Sequence, residues 1–501
     1  MTTLLEKTPR PTAAEALTKP NRRWWILAIL GVAQLMVVLD ATVVNIALPT
    51  AQVDLGFSDA SRQWIVTAYA LAFGSLLLLG GRIADVFGRK WVFIVGLAGF
   101  AVASAIGGAS VNVGMLIAAR AVQGLFAALL APAILSLLTT TFTEARDRAK
   151  AFGIFGAIAG AGASIGLLLG GFLTEYANWR WTMFVNLIFA AIALTGGLIL
   201  LQHSKAAHRP KLDLPGTVVV SGGLFALVYG FSHAQSDGWS NGITIGFLIA
   251  AAVLLAVFVA VQRRLANPLL PLRIVLDRNR GGAYLAMFAA AAGMFAVFLF
   301  LTYYLQTSLG YSAVRTGVAF LPMTGTLVVV AAVASTVLVT RVSARVLIPT
   351  GLLLAAAAMY LLTQIGLNTG YATHILPAML LLGAGLGLTF APGFGLGTLG
   401  VAATDSGVAS ATINTMQQIG GSVGTALLNT IAATAATTYA ASHLGNGGPV
   451  QLLQANAAIH SYTTAFWWAS AIFALGAVIT AGVLRSGIPQ IDPEAAGGVV
   501  L

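Results

Sequence analysis

Asp40 is an ionisable residue in the middle of a long apolar segment, with no basic residue near it along that segment. A charged residue at the centre of a bilayer costs roughly 2.5 to 3.5 kcal/mol on insertion scales, so such a residue normally has a partner or a polar cavity. The chemistry open to a carboxyl group there is the uptake and release of a proton. Asp40 is therefore a candidate proton-coupling residue, and a purely structural acid is the alternative.

Arg120 is a second charged residue inside an apolar segment, seven residues after Val113. Asp40 lies nine residues before Pro49. At a rise of about 1.5 Å per residue, the two side chains lie at a similar depth from the same membrane surface. We therefore expect Asp40 and Arg120 to share one polar site. The alternative for Arg120 is hydrogen bonding to backbone carbonyls for packing alone.

The segments that carry these residues belong to a polytopic membrane protein. The 501 residues are 58% hydrophobic and only 8% charged, which is far more apolar than a soluble chain. A helix needs about 20 apolar residues to cross the bilayer, and the sequence supplies fourteen such stretches. We predict an all-α fold with spans at 23–49, 61–79, 89–109, 113–140, 149–173, 180–201, 215–234, 242–264, 281–307, 315–340, 345–366, 373–401, 407–437 and 462–484.

A short repeat indicates that the chain contains two related halves. Leu-Gly-Phe-Ser at 55–58 and Leu-Gly-Tyr-Ser at 309–312 are each followed by an Arg, at 62 and at 315. Repeated halves are how many transporters build a site at the middle of the membrane. The predicted parts are a tail 1–22, a six-helix bundle 23–201, a linker with two inserted helices 202–264, a second six-helix bundle 265–485 and a tail 486–501.

The basic residues predict the orientation of the chain. With both termini in the cytoplasm, only Arg62, Arg180 and Arg315 fall outside and Arg120 falls within a span, while the other basic residues lie on the inner side. The net charge of +11 then faces anionic lipid, and its spread over separate turns argues against nucleic-acid binding. We expect a monomer in the bacterial inner membrane.

Several kinds of chemistry are disfavoured by what the sequence lacks. It has no Cys, and its six His residues show no ligand spacing, so we expect neither disulfides nor a metal site. Asp40 is the only carboxylate placed deep in a predicted span, which gives an intramembrane enzyme no second acid or base. The sequence shows no ring of repeated charges that would line a pore, so it does not predict a channel. We expect no cofactor, with the proton gradient as the energy source.

The segment 81–90 joins the second and third spans and combines glycines with charges. Gly81 and Gly88 allow a tight backbone, and Asp85 can accept hydrogen bonds from a helix N-terminus. The segment resembles the signature loop of the major facilitator superfamily, and this resemblance implies a gate that steadies one conformation of an alternating-access cycle. The implied gating residues are Gly81, Arg82, Asp85, Gly88, Arg89 and Lys90.

Residues 39–49, Leu-Asp-Ala-Thr-Val-Val-Asn-Ile-Ala-Leu-Pro, resemble the first-helix motif of the fourteen-span drug:proton antiporter branch of that superfamily. Residues 120–124, Arg-Ala-Val-Gln-Gly, match its fourth-helix motif, in which the Arg is taken to assist proton transfer. The resemblance covers essentially the whole chain. It implies proton-coupled export of drugs, antibiotics or dyes.

The fifth span carries the glycines of an antiporter-type helix, Gly166, Gly170 and Gly171. Small residues let helices approach closely. Antiporter members have Gly-Pro-x-x-Gly-Gly here, whereas this chain has Leu167 in the place of the Pro. That departure leaves open a uniporter or proton symporter of a small metabolite on the same fold.

The sequence and the resemblance together predict export of an amphipathic or lipophilic small molecule through a cavity between the halves. Substrate and proton would compete for Asp40. The polar and aromatic residues that we assign to this cavity are Gln34, Asn45, Tyr69, Gln123, Gln306, Asn414 and Gln417. The alternative for each of these residues is interhelical hydrogen bonding or core packing.

Overall fold

The computed structural model describes residues 20–57, 59–202, 213–265, 268–367, 369–443 and 449–487. Across these residues the secondary structure is helical, with no strand. Thirteen of the described helices are long and apolar enough to cross a membrane, and a further helix that bends by 43° makes a fourteenth span. The prediction of an all-α polytopic membrane protein is confirmed.

The transmembrane helices are numbered here in chain order. They are α1 Pro20–Leu55, α2 Asp59–Phe87, α3 Arg89–Gly108, α4 Val113–Thr141, α5 Ala145–Tyr176, α6 Trp181–Leu200, α7 Leu214–Asp237, α8 Gly242–Gln262, α9 Arg278–Ser308, α10 Val314–Leu338, α11 Ala344–Leu362, α12 Tyr371–Gly397, α13 Ser406–His443 and α14 Val450–Val483.

Several helices are longer than the sequence predicted. The predicted spans 407–437 and 462–484 become α13 with 38 residues and α14 with 34 residues. At about 1.5 Å per residue, each exceeds the roughly 30 Å of hydrocarbon. The prediction fell short because hydropathy marks only the apolar part of a helix, and polar turns beyond it also stay helical.

The repeated segments adopt the same backbone conformation. Gly56 follows the end of α1 with φ 65°, and Gly310 follows the end of α9 with φ 66°. This left-handed conformation closes a helix at little cost only when the residue is glycine. The two short sequence repeats therefore end the first helix of each group of six in the same way.

The two groups of helices meet where α2 and α4 contact α13 and where α5 contacts α10 and α12. Within the first group, α2 also packs against α4, and α5 packs against α1. The inserted helix α7 lies beside α2 and α13. Its contacts include a hydrogen bond between the hydroxyls of Thr67 and Ser232, 3.0 Å apart. Just beyond α7, the Trp239 indole donates to the Thr430 hydroxyl of α13 at 2.9 Å.

Close packing of α2 and α4 fixes the position of Arg120. A Cβ atom on Gly124 would overlap the carbonyl oxygen of Tyr69, so glycine is what permits this approach. The Asn112 side chain accepts a hydrogen bond from the Met115 amide at 2.8 Å and caps the start of α4. The close approach at Gly124 holds the middle of α4 against α2, and α4 also packs against α3.

Candidate functional site

Asp40 and Arg120 form an ion pair inside the first group of six helices. The Nη1 of Arg120 on α4 donates to the Oδ2 of Asp40 on α1 at 2.5 Å. Asp40 is 0% exposed and Arg120 is 2% exposed. The two side chains lie together as their similar depth predicted, and Arg120 has a carboxylate partner rather than backbone carbonyls alone.

Two amides complete the surroundings of the Asp40 carboxylate. Asn186 on α6 donates its Nδ2 to the Asp40 Oδ1 at 2.7 Å, and Gln123 on α4 donates its Nε2 to the same oxygen at 3.1 Å. The Ser104 hydroxyl on α3 accepts from Gln123 at 2.5 Å and from Asn186 at 3.3 Å. We call Asp40, Ser104, Arg120, Gln123 and Asn186 the Asp40 network.

Tyr69 on α2 completes one side of the network. The guanidinium carbon of Arg120 lies 4.3 Å from the centre of its ring, a cation–π contact. The Tyr69 hydroxyl is buried and has no hydrogen-bond partner among the described residues. Tyr69 and Gln123, which the sequence placed in the substrate cavity, both lie against Arg120 in this conformation.

Ser104 and Asn186 are members that sequence reasoning missed. Asn186 is the one amide side chain in the apolar helix α6, which was the available signal, and in the structure it is 1% exposed. The sequence does not show which face of α6 meets α1, so the partner of Asn186 was not predictable. Ser104 gave no signal, because single serines are common in membrane helices.

A second polar cluster joins the two groups of helices. We call the end of the molecule where Arg82, Asp85 and Arg89 lie the basic end. The carboxylate of Asp85 accepts hydrogen bonds from the backbone amides of Gly407 at 3.0 Å and Val408 at 3.3 Å. These amides begin α13, where the helix dipole favours a negative charge. Asp85 thus accepts hydrogen bonds from a helix N-terminus, as its position in the sequence allowed.

Further contacts at the basic end surround Asp85. The guanidinium of Arg89 lies 3.4 Å from the Asp85 carboxylate. Asp405 lies 3.8 Å from Arg82 and 2.6 Å from Arg273, so it bridges the two halves. Three further described pairs join the two halves at this end. The hydroxyls of Ser136 and Ser406 lie 2.8 Å apart, and Arg148 donates to the Thr398 hydroxyl at 2.8 Å. Gly81 packs directly on Gly407.

The segment 81–90 differs from the loop that the sequence predicted. Residues 81 to 87 continue α2, and only Gly88, with φ 95°, leaves the helix. Gly81 is thus not a turn residue but a point of close contact between helices. Lys90 turns away from the opposite half and donates to the carbonyl oxygens of Leu198 and Leu201.

The glycines of α5 pack on the helix that carries Asp40. A Cβ atom on Gly166 would overlap the hydroxyl of Thr42, and one on Gly170 would lie 3.1 Å from the backbone of Val43. Gly171 is buried as well. The bend of 43° separates Ala145–Gly162 from Ser164–Tyr176, although Leu167 stands where antiporters have a Pro.

The other residues assigned to the cavity are spread over both halves. Gln34 on α1 is buried and its Oε1 has no partner among the described residues. Asn414 on α13 donates to the Ser410 carbonyl at 3.1 Å, while Gln306 and Gln417 are partly exposed. The side chain of Asn45 lies outside the described residues. The structure therefore brings Tyr69 and Gln123 to the Asp40 network, and no described contact joins Gln34, Gln306, Asn414 or Gln417 to it.

Comparison with known proteins identifies this arrangement. A family model described as the Major Facilitator Superfamily matches residues 30–425. The chain belongs to the major facilitator superfamily. It is therefore a multi-pass membrane transporter of small molecules, and the resemblance read from 39–49 and 81–90 is confirmed.

Curated relatives of this transporter match over most of their length. The puromycin resistance protein pur8 of Streptomyces alboniger is 46% identical, and the alignment covers 98% of this chain and 97% of the relative. The cephamycin export protein CmcT of Amycolatopsis lactamdurans is 38% identical, over 84% and 88% respectively. The tetracenomycin C resistance and export protein of Streptomyces glaucescens is 36% identical, over 82% and 76%.

A solved structure supports the fold. The crystal structure of the human organic anion transporter MFSD10 (TETRAN) superposes with a TM-score of 0.62, covering 92% of this chain and all of the other, at 14% sequence identity. At this low identity the likeness concerns the fold alone.

Proposed function

We propose that this transporter exports amphipathic or lipophilic antibiotic-like molecules from a bacterial cell in exchange for protons, with its basic end and both termini in the cytoplasm. The observation that carries the proton coupling is the enclosed ion pair of Asp40 and Arg120. The export of antibiotics is supported by relatives named for resistance and export.

The proton acts on Asp40 through its partners. When Asp40 takes up a proton, Arg120 loses its charged partner inside the protein. Removing one partner of a buried pair typically costs about 3–5 kcal/mol. A membrane potential contributes about 2.3 kcal/mol per charge for each 100 mV. The two energies are of the same order, so proton entry is able to drive the separation of α4 from α1 and α6.

The substrate is not expected to touch the Asp40 carboxylate in this conformation. Both carboxylate oxygens accept hydrogen bonds, and the residue is 0% exposed. Competition between substrate and proton is therefore indirect and acts through the arrangement of the helices. Gln34, Gln306, Asn414 and Gln417 remain the proposed cavity residues, and their uncharged amides suit substrates with neutral polar groups.

The polar cluster at the basic end acts as the gate. Asp85 and Asp405 each join residues of the first half to residues of the second, so the basic end is closed when these contacts exist. Opening toward the cytoplasm requires that they separate. The conformation described here is thus closed at the basic end, and substrate release in this state would be toward the far side.

Proton symport of a metabolite is the competing function. Its support was Leu167, which stands where antiporter members have a Pro. The bend of α5 supports export instead, because it is present without the Pro, in a stretch rich in glycine. Gly166 and Gly170 also keep α5 in close contact with α1 beside Asp40.

A growth experiment tests the export proposal. The chain is expressed in a bacterial host lacking its own drug pumps and challenged with puromycin, a cephamycin, tetracenomycin C and cationic dyes. We expect higher tolerance of at least one compound, abolished by a protonophore and by Asp40→Asn. Increased sensitivity or uptake of every compound would contradict export, and tolerance unaffected by Asp40→Asn would remove Asp40 from the mechanism.

A further inference from the structure

An apolar groove of about 700 Å³ lies between α1 and α6, on the surface of the first half. Trp25, Ile192, Thr195, Gly196 and Leu200 are among the residues that line it. Trp25 is 65% exposed and stands near the start of α1, where a Trp typically marks the interface between hydrocarbon and headgroups. The groove is therefore shaped to accept a hydrocarbon chain that ends at the basic end of the molecule.

Two cations lie where the groove reaches the basic end. Arg22 donates its Nη2 to the carbonyl oxygen of Leu200, a groove residue, at 2.9 Å. Lys90 donates to the carbonyl oxygens of Leu198 at 3.0 Å and Leu201 at 2.5 Å. These contacts place both positive charges at the C-terminal end of α6.

Neither cation has a carboxylate partner among the described residues, whereas neighbouring Arg23 is paired with Glu144 at 3.3 Å and Asp147 at 3.0 Å. The Nε of Arg22 is buried and has no hydrogen-bond partner. A guanidinium has five N–H donors, so Arg22 can bind an anion while keeping its bond to Leu200.

We propose that the groove binds one acidic phospholipid, with an acyl chain against Trp25 and Ile192 and the phosphate between Arg22 and Lys90. Charge complementarity favours an acidic lipid over a zwitterionic one, because the part of the chain that the structure describes offers neither cation a carboxylate. The lipid bridges α1 and α6, the helices that carry Asp40 and Asn186. Its binding strengthens the packing on which the Asp40 network depends.

The second half provides a matched control. Arg278 donates to the carbonyl oxygens of Val483 at 2.9 Å and Gly482 at 3.0 Å. Arg345 donates to the Ala481 carbonyl at 2.8 Å. These two cations hold the end of α14 as Arg22 and Lys90 hold the end of α6. In the second half, however, the start of α9 packs tightly on the residue after α14. A Cβ atom on Gly282 would overlap the side chain of Leu484.

Native mass spectrometry of the full chain measures the binding, with phosphatidylglycerol and phosphatidylcholine of identical acyl chains as probes. We expect one phosphatidylglycerol to be retained in preference to phosphatidylcholine. Arg22→Gln should weaken its retention about fivefold, which corresponds to about 1 kcal/mol for one basic residue near a membrane surface. Thr195→Trp, which fills the groove without changing charge, should weaken it further, and Arg278→Gln should leave it unchanged.

Equal retention of the two lipids by the wild-type protein would overturn the proposal. The proposal would also be overturned if Arg278→Gln lowered the retention of phosphatidylglycerol as much as Arg22→Gln does. In that case the net positive charge of the protein, and not the groove, would be responsible for the binding. The melting temperature in added inorganic phosphate separates a lipid from a free anion. A rise equal to that produced by phosphatidylglycerol would assign the cations to a phosphate site and contradict the lipid assignment.

Discussion

Gly81 and Gly407 face each other across the two halves so closely that a Cβ atom on either residue would overlap the carbonyl oxygen of the other. The amide of Gly407 also donates to Asp85 at 3.0 Å. The closed basic end therefore depends on two glycines as well as on charges. A side chain at either position must separate α2 from α13.

Gly407→Ala should shift the protein toward the state that is open at the basic end. The chain has no native cysteine, so Ser136→Cys, at the buried contact with Ser406, reports on this opening. We expect its labelling by a water-soluble maleimide in everted vesicles to rise several-fold with Gly407→Ala. Gly421→Ala on the same helix, where a Cβ atom meets nothing within 4 Å, should have no effect. Unchanged labelling in Gly407→Ala would contradict the gate.

Arg120→Ala should destabilise the fold by about 3–5 kcal/mol, because it leaves the Asp40 carboxylate buried without its cation. The double substitution Asp40→Asn with Arg120→Ala should recover most of that loss, since no charge is then buried alone. Thermal unfolding of the wild type, Asp40→Asn, Arg120→Ala and the double variant in one detergent gives the coupling between the two positions. Losses that simply add would show that the pair is not energetically linked.

Asn186→Ala should weaken the Asp40 network directly, since Asn186 donates to the carboxylate at 2.7 Å. A hydrogen bond to a charged group contributes about 1.5–3 kcal/mol, so both stability and substrate-driven proton release should fall. Ser104→Ala should have a smaller effect, because the hydrogen bonds described for Ser104 come from the two amides and not from the carboxylate. The assay compares proton release by the two variants at equal amounts of protein. An equal or larger loss in Ser104→Ala would contradict the arrangement.

Gly166→Ala should impair transport by pushing α5 away from α1, because its Cβ atom would overlap the Thr42 hydroxyl. Thr42→Ala removes that hydroxyl and gives up only hydrogen bonds within α1, to the carbonyls of Val38 and Leu39. Transport by the double variant should recover toward that of Thr42→Ala alone. Failure to recover would show that the close approach of these two helices is not the reason for the glycine.

The ion pair of the candidate site was predictable from sequence, and most of its environment was not. Asp40 and Arg120 are charges in apolar segments at similar depth, so the cost of burying them indicated a shared site. Ser104 and Asn186 depend on how α3 and α6 are rotated about their axes, which hydropathy does not specify. Gly81 was read as a turn residue because its partner Gly407 lies in the other half and is distant in sequence.

The fold was predictable because membrane helices are marked by apolar length alone. The family motif at 81–90 was equally informative, although residues 81 to 87 proved helical. The end of α13 and the start of α14 were underestimated, since these turns are more polar, and they pack on each other through the rings of Tyr439 and His460, 5.1 Å apart.

We propose that Asp40 exchanges a proton as substrate is moved, and proton release from acidified everted vesicles tests this exchange most directly. Adding a transported antibiotic should release protons with the wild-type protein and not with Asp40→Asn, while binding of that antibiotic to purified Asp40→Asn persists. Asp54→Asn, at an exposed acid on α1 outside the Asp40 network, should behave as the wild type. Substrate-driven proton release by Asp40→Asn at the wild-type rate would contradict the account.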